Sequence, residues 1–192
     1  IGVMVANAAK ALGMDVEGFD PYISVDSAWA LSRSVKKAAD FQSLLANSDY
    51  ITLHVPLTPE TKGMFNAEKF SLMKKGARLL NFSRGELVNN EDLKKAMEEG
   101  IIATYITDFP TEELLHMENV IAIPHLGAST PESEENCAVM AVKQLKDFLE
   151  NGSITNSVNY PNCDLARSSD YRITIAHRNI PNMVGQISTI LA

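Results

Sequence analysis

The amino-acid sequence predicts an α/β fold, a doubly wound parallel sheet, and two observations carry that prediction. Short apolar runs at residues 49–55, 77–82, 101–107 and 119–123 have the length and composition of buried strands. Between them, residues 41–46, 67–73 and 90–99 repeat their apolar side chains at helical spacing. Strands that alternate with helices pair in parallel, because each crossover helix carries the chain back to the same end of the sheet.

Composition bounds what such a protein does. With 192 residues, 45% of them hydrophobic, the chain can bury a full domain core and has residues to spare. Its net charge of -7 comes without the basic patch that phosphate neutralisation requires, which excludes nucleic acid as the expected partner and favours a small molecule. No apolar run reaches the roughly 18 residues of a bilayer-spanning helix, so no membrane partner is expected. Cys137 and Cys163 are too few for a disulfide framework, and a reducing cytoplasm is the expected compartment.

The chain opens on a helix. Val3, Ala6, Ala9 and Leu12 form its apolar stripe, Gly13 ends it, and residues 14–20 follow as a short strand closed by Asp20 and Pro21. This pattern is the second half of a βαβ unit. Gly2 stands where the third glycine of a GxGxxG phosphate turn belongs, and Asp20 where an acid takes the ribose hydroxyls, so the first strand and first two glycines are expected upstream of Ile1. Taken singly, Gly2 serves helix packing as well, and Asp20 serves a turn ahead of proline.

A long helix closes the α/β region. Ser129 with Glu132 fits a capping box, Thr130 with Pro131 fits a cap followed by proline at the first helical position, and the two remain alternatives. Ala138, Val142, Leu145 and Leu149 share one face ahead of Gly152. Residues 1–152 therefore form one domain. Residues 153–170 are a polar connector with a strand, and residues 171–192 begin a new unit: an alternating strand at 171–176, a loop holding Asn179, Pro181 and Gly185, and an apolar helix.

Two stretches carry chemistry. NFSRGELVNN, residues 81–90, and IPHLGAST, residues 123–130, set Arg84 and His125 just beyond two expected strands, each near a glycine. An arginine fork can grip a carboxylate through paired hydrogen bonds, and a histidine exchanges protons near neutrality, so the two together suit holding a small acid and moving a proton. In isolation Arg84 would read as a surface arginine, and His125 as a satisfied histidine at a helix entrance.

Together with HVPLTPETKGMFN at residues 54–66, these stretches resemble the nucleotide-binding domain of the D-isomer-specific 2-hydroxyacid dehydrogenases, over residues 1 to about 161. The resemblance implies a Rossmann-like domain, NAD as cofactor, no metal, and oxidation of a small 2-hydroxy acid. Its catalytic residues would be Arg84 on the substrate carboxylate, His125 as the base that takes the hydroxyl proton, and a glutamate that orients the imidazole. Glu113 fits by its distance from Arg84 and Asp108, whereas Glu112 fits if Phe109 and Pro110 are held in register. The run ITDFPTEELL departs from the family pattern, with no valine after its aspartate and no proline after its glutamates; Glu113 is preferred.

For the cofactor, the resemblance assigns Ile1 and Gly2 to the phosphate turn and Asp20 to the adenosine ribose, which favours NAD over NADP. His54 would contribute main chain, Val55 and Pro56 would lie along the adenosine half, and Thr61 would stand near the diphosphate. Phe82 and Ser83 would present backbone to the nicotinamide ribose, Asp108 would take the nicotinamide carboxamide, and Gly127 is counted with the same site. Residues 177–185, HRNIPNMVG, resemble the ligand loop of ACT domains, ferredoxin-like regulatory modules that bind amino acids. An amino-acid effector and a homo-oligomer are thereby implied. Without a first strand and a substrate domain, the segment is expected to bind NAD poorly and to turn over little substrate alone. A module that senses NAD or an amino acid is the alternative in another class; it would keep Asp20 but could dispense with His125, so Arg84, a glutamate and His125 together favour catalysis.

Overall fold

A computed structural model describes every residue except Asn179, and the chain divides into two compact units, Ile1–His125 and Leu126–Ala192. Asn179, expected in the loop of the last segment, lies outside the described residues.

In the first unit the four apolar runs form one parallel sheet in the order β3-β4-β5-β6: β3 (Tyr50–Leu53), β4 (Ala77–Asn81), β5 (Ile102–Thr107) and β6 (Val120–Ala122). Ile51 stands beside Leu79, Leu79 beside Tyr105, and Tyr105 beside Val120. Each strand is shorter than its apolar run because the end residues turn out of the ladder. The sheet order follows chain order, so the C-terminal ends of β4, β5 and β6 lie side by side.

The helices are set by local capping and by one core. Asp40 accepts the Ser43 N–H at 2.7 Å while Ser43 Oγ accepts the Asp40 N–H, a capping box that starts α3 (Phe41–Asn47). Asn66 caps α4 (Ala67–Ser71), Asn89 caps α5 (Asn90–Glu98) and Thr111 caps α6 (Glu112–Leu115), each contributing on the order of 1 kcal/mol. Leu45, Phe65, Leu79, Leu87 and Leu93 are fully shielded in a single cluster, and Phe65 joins Phe41 and Phe70 with ring centroids 5.9 and 6.2 Å away. The short helices α2 (Val25–Trp29) and α6 were not expected, since one turn shows no periodicity.

Two expectations in this unit need correction. The strand foreseen at residues 14–20 is only β1 (Glu17–Gly18), paired in parallel with β2 (Lys36–Lys37) in a sheet of its own. A ladder extends only as far as its neighbour, and β2 offers two residues. Helix α1 (Gly2–Ala11) forms as expected, with Val3, Ala6 and Ala9 partly covered, but Leu12 follows it and is 82% exposed.

In the second unit Thr130 Oγ1 accepts the Ser133 N–H at 3.2 Å and Pro131 opens α7 (Pro131–Asn151), which decides between the two caps. Gly152, at φ 71°, ends the helix in the left-handed region. The apolar face of α7 is present but uncovered: Val142, Leu145 and Leu149 are exposed. Of the connector strand, only the antiparallel bridge between Ile154 and Cys163 forms. Residues 171–176 are not a strand, because an alternating sequence pairs only where a neighbour offers backbone groups, and no described residue does so. Helix α8 (Met183–Leu191) completes the unit. No helix of the described residues is long and apolar enough to cross a membrane.

Candidate active site

Beyond the C-terminal ends of β4, β5 and β6 the chain turns sharply, and each turn delivers one polar side chain. At the end of β4, Asn81 is fully buried, and its side chain makes the turn. Its Nδ2 donates to the Arg84 carbonyl at 2.8 Å and to the Tyr105 hydroxyl at 3.2 Å, while its Oδ1 accepts the Ser83 N–H at 3.2 Å. Ser83 Oγ donates to the Leu53 carbonyl at 3.0 Å, tying the turn to β3. The Arg84 backbone is thus fixed from two strands. Among the described residues its guanidinium donates once, from Nη1 to the Ser83 carbonyl at 2.7 Å, and its Cζ lies 5.9 Å from the Phe109 ring centroid.

Phe109 follows β5 and reaches both sides. Its ring centroid stands 4.5 Å from that of His125, tilted by 41°. Gly85 makes room for it, since a Cβ there would sit 3.3 Å from the Phe109 Cβ. The Phe109 N–H donates to Thr107 Oγ1 at 3.1 Å, and Thr107 is itself fully buried. Burial pushes the Tyr105 hydroxyl pKa up, against the lowering effect of its bond to Asn81.

His125 Nδ1 lies 2.8 Å from Asp108 Oδ2, with the histidine side chain 47% exposed and the aspartate 11%. Asp108 Oδ1 is buried and has no hydrogen-bond partner among the described residues. The turn after β6 is anchored by the Ile123 N–H, which donates to the Thr107 carbonyl at 3.0 Å. Arg84 and His125 therefore flank one aromatic ring, an arrangement that can hold an anion and exchange a proton beside it.

The remaining sites fall at separate places. Glu113, expected beside His125, lies in the first turn of α6, and among the described residues neither it nor Glu112 has a hydrogen bond or ion pair to His125. Ile1 is an N-cap without a side-chain bond, and Gly2 approaches His54 so closely that a Cβ would lie 3.4 Å from the histidine Cβ. His54 Nε2 pairs with Thr52 Oγ1 at 3.1 Å, and burial lowers its pKa. Asp20 Oδ1 accepts the Tyr22 N–H at 2.8 Å, the turn arrangement, and leaves its other oxygen available. Thr61 Oγ1 donates to the Pro56 carbonyl at 2.7 Å, so those two positions are joined; Val55 is partly covered and Phe82 is exposed. Gly127 belongs to the second unit, where its carbonyl accepts from Ser133 Oγ at 3.5 Å. The sequence did not single out Asn81, Tyr105, Thr107 or Phe109. A polar Asn81 closing an apolar strand was the one signal that pointed to them.

An open parallel α/β sheet with polar groups gathered outside the carboxyl ends of its strands defines a Rossmann-like domain of the ligand-binding class. Residues 1–127 match the model of the D-isomer specific 2-hydroxyacid dehydrogenase NAD binding domain, and the chain belongs to that family. It is 39% identical over 168 residues to D-3-phosphoglycerate dehydrogenase 2, chloroplastic, of Arabidopsis thaliana, covering 84% of this chain and 26% of that protein. Likewise it is 40% identical over 168 residues to D-3-phosphoglycerate dehydrogenase of Methanocaldococcus jannaschii, covering 84% of this chain and 32% of that one. The chain thus spans between a quarter and a third of the length of these relatives. Among solved structures, the NAD-complexed D-isomer specific 2-hydroxyacid dehydrogenase of Lactobacillus delbrueckii ssp. bulgaricus superposes with a TM-score of 0.67 at 28% identity, covering 78% of this chain and 50% of that one. The Aquifex aeolicus D-lactate dehydrogenase complexed with NAD and lactic acid gives 0.64 at 31%, over 78% and 50%.

Proposed function

We propose that this chain is the NAD-binding and catalytic part of a dehydrogenase that oxidises 3-phosphoglycerate to 3-phosphohydroxypyruvate, the opening step of serine biosynthesis. The observation that carries the proposal is the gathering of Arg84, Asp108 and His125 around Phe109 at three adjacent strand ends. The choice of 3-phosphoglycerate among 2-hydroxy acids leans on the curated relatives, which bear that enzyme's name.

The residues fit NAD. Asp108 Oδ1 is a buried acceptor without a donor, which suits an amide N–H such as the nicotinamide carboxamide offers. The first turn of α1, where Ile1 and Gly2 lie, has backbone N–H groups without a side-chain cap and suits a diphosphate. Asp20 keeps one carboxylate oxygen for ribose hydroxyls, with Val55, Pro56, Thr61, Phe82, Ser83 and the His54 main chain assigned to the rest of the cofactor by family likeness. NAD, when bound, supplies the ring that accepts the hydride. Arg84, with one of its five N–H donors engaged, retains the others for the substrate carboxylate. His125, held through Nδ1, offers Nε2 to the hydroxyl proton as C2 is oxidised. Family likeness gives the orienting carboxylate to Glu113, with Glu112 beside it.

Residues 1–152 serve as the nucleotide-binding domain in this reading, residues 153–170 as the connector, and residues 171–192 as part of an ACT-like unit that takes serine. The test is NADH formation by the chain within its complete reading frame, with 3-phosphoglycerate, D-glycerate or D-lactate. Turnover of 3-phosphoglycerate alone supports the proposal; turnover of another acid changes the substrate. NAD binding without turnover of any of them favours a sensing module. Serine that alters neither rate nor oligomeric state removes the effector.

A further inference from the structure

We infer that Tyr105 is a positioning residue for Arg84: from the core of the sheet, its hydroxyl holds the Asn81 amide in the plane that fixes the turn on which the arginine stands. The kinetic consequence rests on the dehydrogenase reading, whereas the hydrogen bonds stand independently of it.

Tyr105 stands beside Leu79 in the ladder of β4 and β5, and Asn81 beside Thr107, so the tyrosine lies one side-chain repeat below the asparagine on the neighbouring strand. A phenol is long enough to cross that diagonal. Its hydroxyl meets Asn81 Nδ2 at 3.2 Å, and both residues are shielded from solvent, Asn81 at 0% exposure and Tyr105 at 1%. An asparagine amide carries two N–H donors and one acceptor oxygen, and here all three are used. Oδ1 accepts the Ser83 N–H, one Nδ2 hydrogen goes to the Arg84 carbonyl, and the second goes to Tyr105. The two backbone bonds alone would let the amide tilt about the line that joins them; the third bond, from another strand, removes that freedom. The Arg84 carbonyl gripped in this way also accepts the Leu87 N–H at 3.3 Å, which starts the short helical turn Gly85–Leu87. Tilting of the amide is therefore passed to the residue that carries the guanidinium. Phenylalanine at 105 would keep the ring but leave the second Nδ2 hydrogen without its acceptor in the core, and the amide would turn toward the half-buried side of the turn to find water. In sequence Tyr105 reads as core filling, since its polar atom finds a use only when β5 lies against β4.

The test is Tyr105→Phe within the complete reading frame, made in the wild-type and Arg84→Gln backgrounds and read in two ways. The first is hydrogen exchange at the Ser83 N–H, resolved to single residues. It should quicken by roughly 3- to 10-fold, the worth of one buried hydrogen bond, while the amides of β4 before Asn81 keep their rates. The second is kinetics with 3-phosphoglycerate. In the wild-type background kcat/KM should fall by about 3- to 10-fold with the NAD Kd changed less than about twofold, and in R84Q the same substitution should lower kcat/KM by less than about twofold, because the group it positions is gone. A tyrosine that only fills the core would give equal losses in both backgrounds, and that result overturns the inference. Unchanged exchange at Ser83, or exchange quickened evenly along β4, overturns it as well. Exchange needs no turnover, so an enzyme inactive on every acid would remove the dehydrogenase reading, while quickening confined to Ser83 would still support the tie from Tyr105 to the Arg84 turn.

Discussion

Truncating Asn81 to alanine should unfold the β4 turn at a cost that the structure allows to be worked out. The side chain is fully buried and makes three hydrogen bonds, to the Arg84 carbonyl, the Tyr105 hydroxyl and the Ser83 N–H, at 2.8, 3.2 and 3.2 Å. Alanine leaves three groups without their partner, and each buried unpaired group costs about 1–3 kcal/mol. The bonds to Ser83 and Arg84 are only partly buried, so those groups recover part of this from solvent; we expect a net loss of about 2–4 kcal/mol. With a urea slope of about 2 kcal/mol/M, the midpoint should fall by roughly 1–2 M at unchanged slope. Urea titration followed by circular dichroism measures it, and Tyr105→Phe completes a double-mutant cycle. The pair should couple by at least about 0.5 kcal/mol. A midpoint shift below roughly 0.3 M, with no coupling to Tyr105, would refute the view that Asn81 builds the arginine turn.

Other perturbations have equally definite outcomes. Leu79→Ala, at a position with no exposed surface, should cost about 2–5 kcal/mol by urea titration; a loss under about 1 kcal/mol would mean the site collapses around the gap. For the proposed reaction, measured within the complete reading frame, Arg84→Lys keeps the charge but loses the paired donors, so kcat/KM for 3-phosphoglycerate should drop roughly 10- to 100-fold, and an unchanged value would remove Arg84 from substrate binding. His54 has a folded pKa below its unfolded value, so the fold favours the neutral ring: its contribution is complete above about pH 6.5 and is lost as pH falls through the lower folded value. His54→Gln should flatten stability against pH over that acidic window, and parallel curves for the two proteins would count against the assignment.

The sheet was legible because its four strands are apolar runs of the right length between helices, and in a parallel sheet that signal is local. Arg84 and His125 were legible for a related reason, as charged or titratable residues immediately after such runs. What pairs with them was not. Asn81 and Tyr105, or Asp108 and His125, meet only once β4, β5 and β6 stand side by side, and the turn after β5 decides which carboxylate reaches the imidazole. Residues 171–176 illustrate the opposite failure: alternation records an amphipathic face and says nothing of whether a neighbouring strand is there to pair with it. The same holds for residues 14–20, where only two residues find a partner.

In the proposed reaction His125 moves the substrate proton and contributes little to cofactor binding. The most direct test is to compare wild type with His125→Ala within the complete reading frame, measuring kcat with 3-phosphoglycerate and the Kd for NAD side by side. The expected result is a fall in kcat of at least about 10²-fold with the NAD Kd changed less than about threefold. A variant that keeps its kcat, or one whose lost turnover is matched by lost NAD binding, would contradict it.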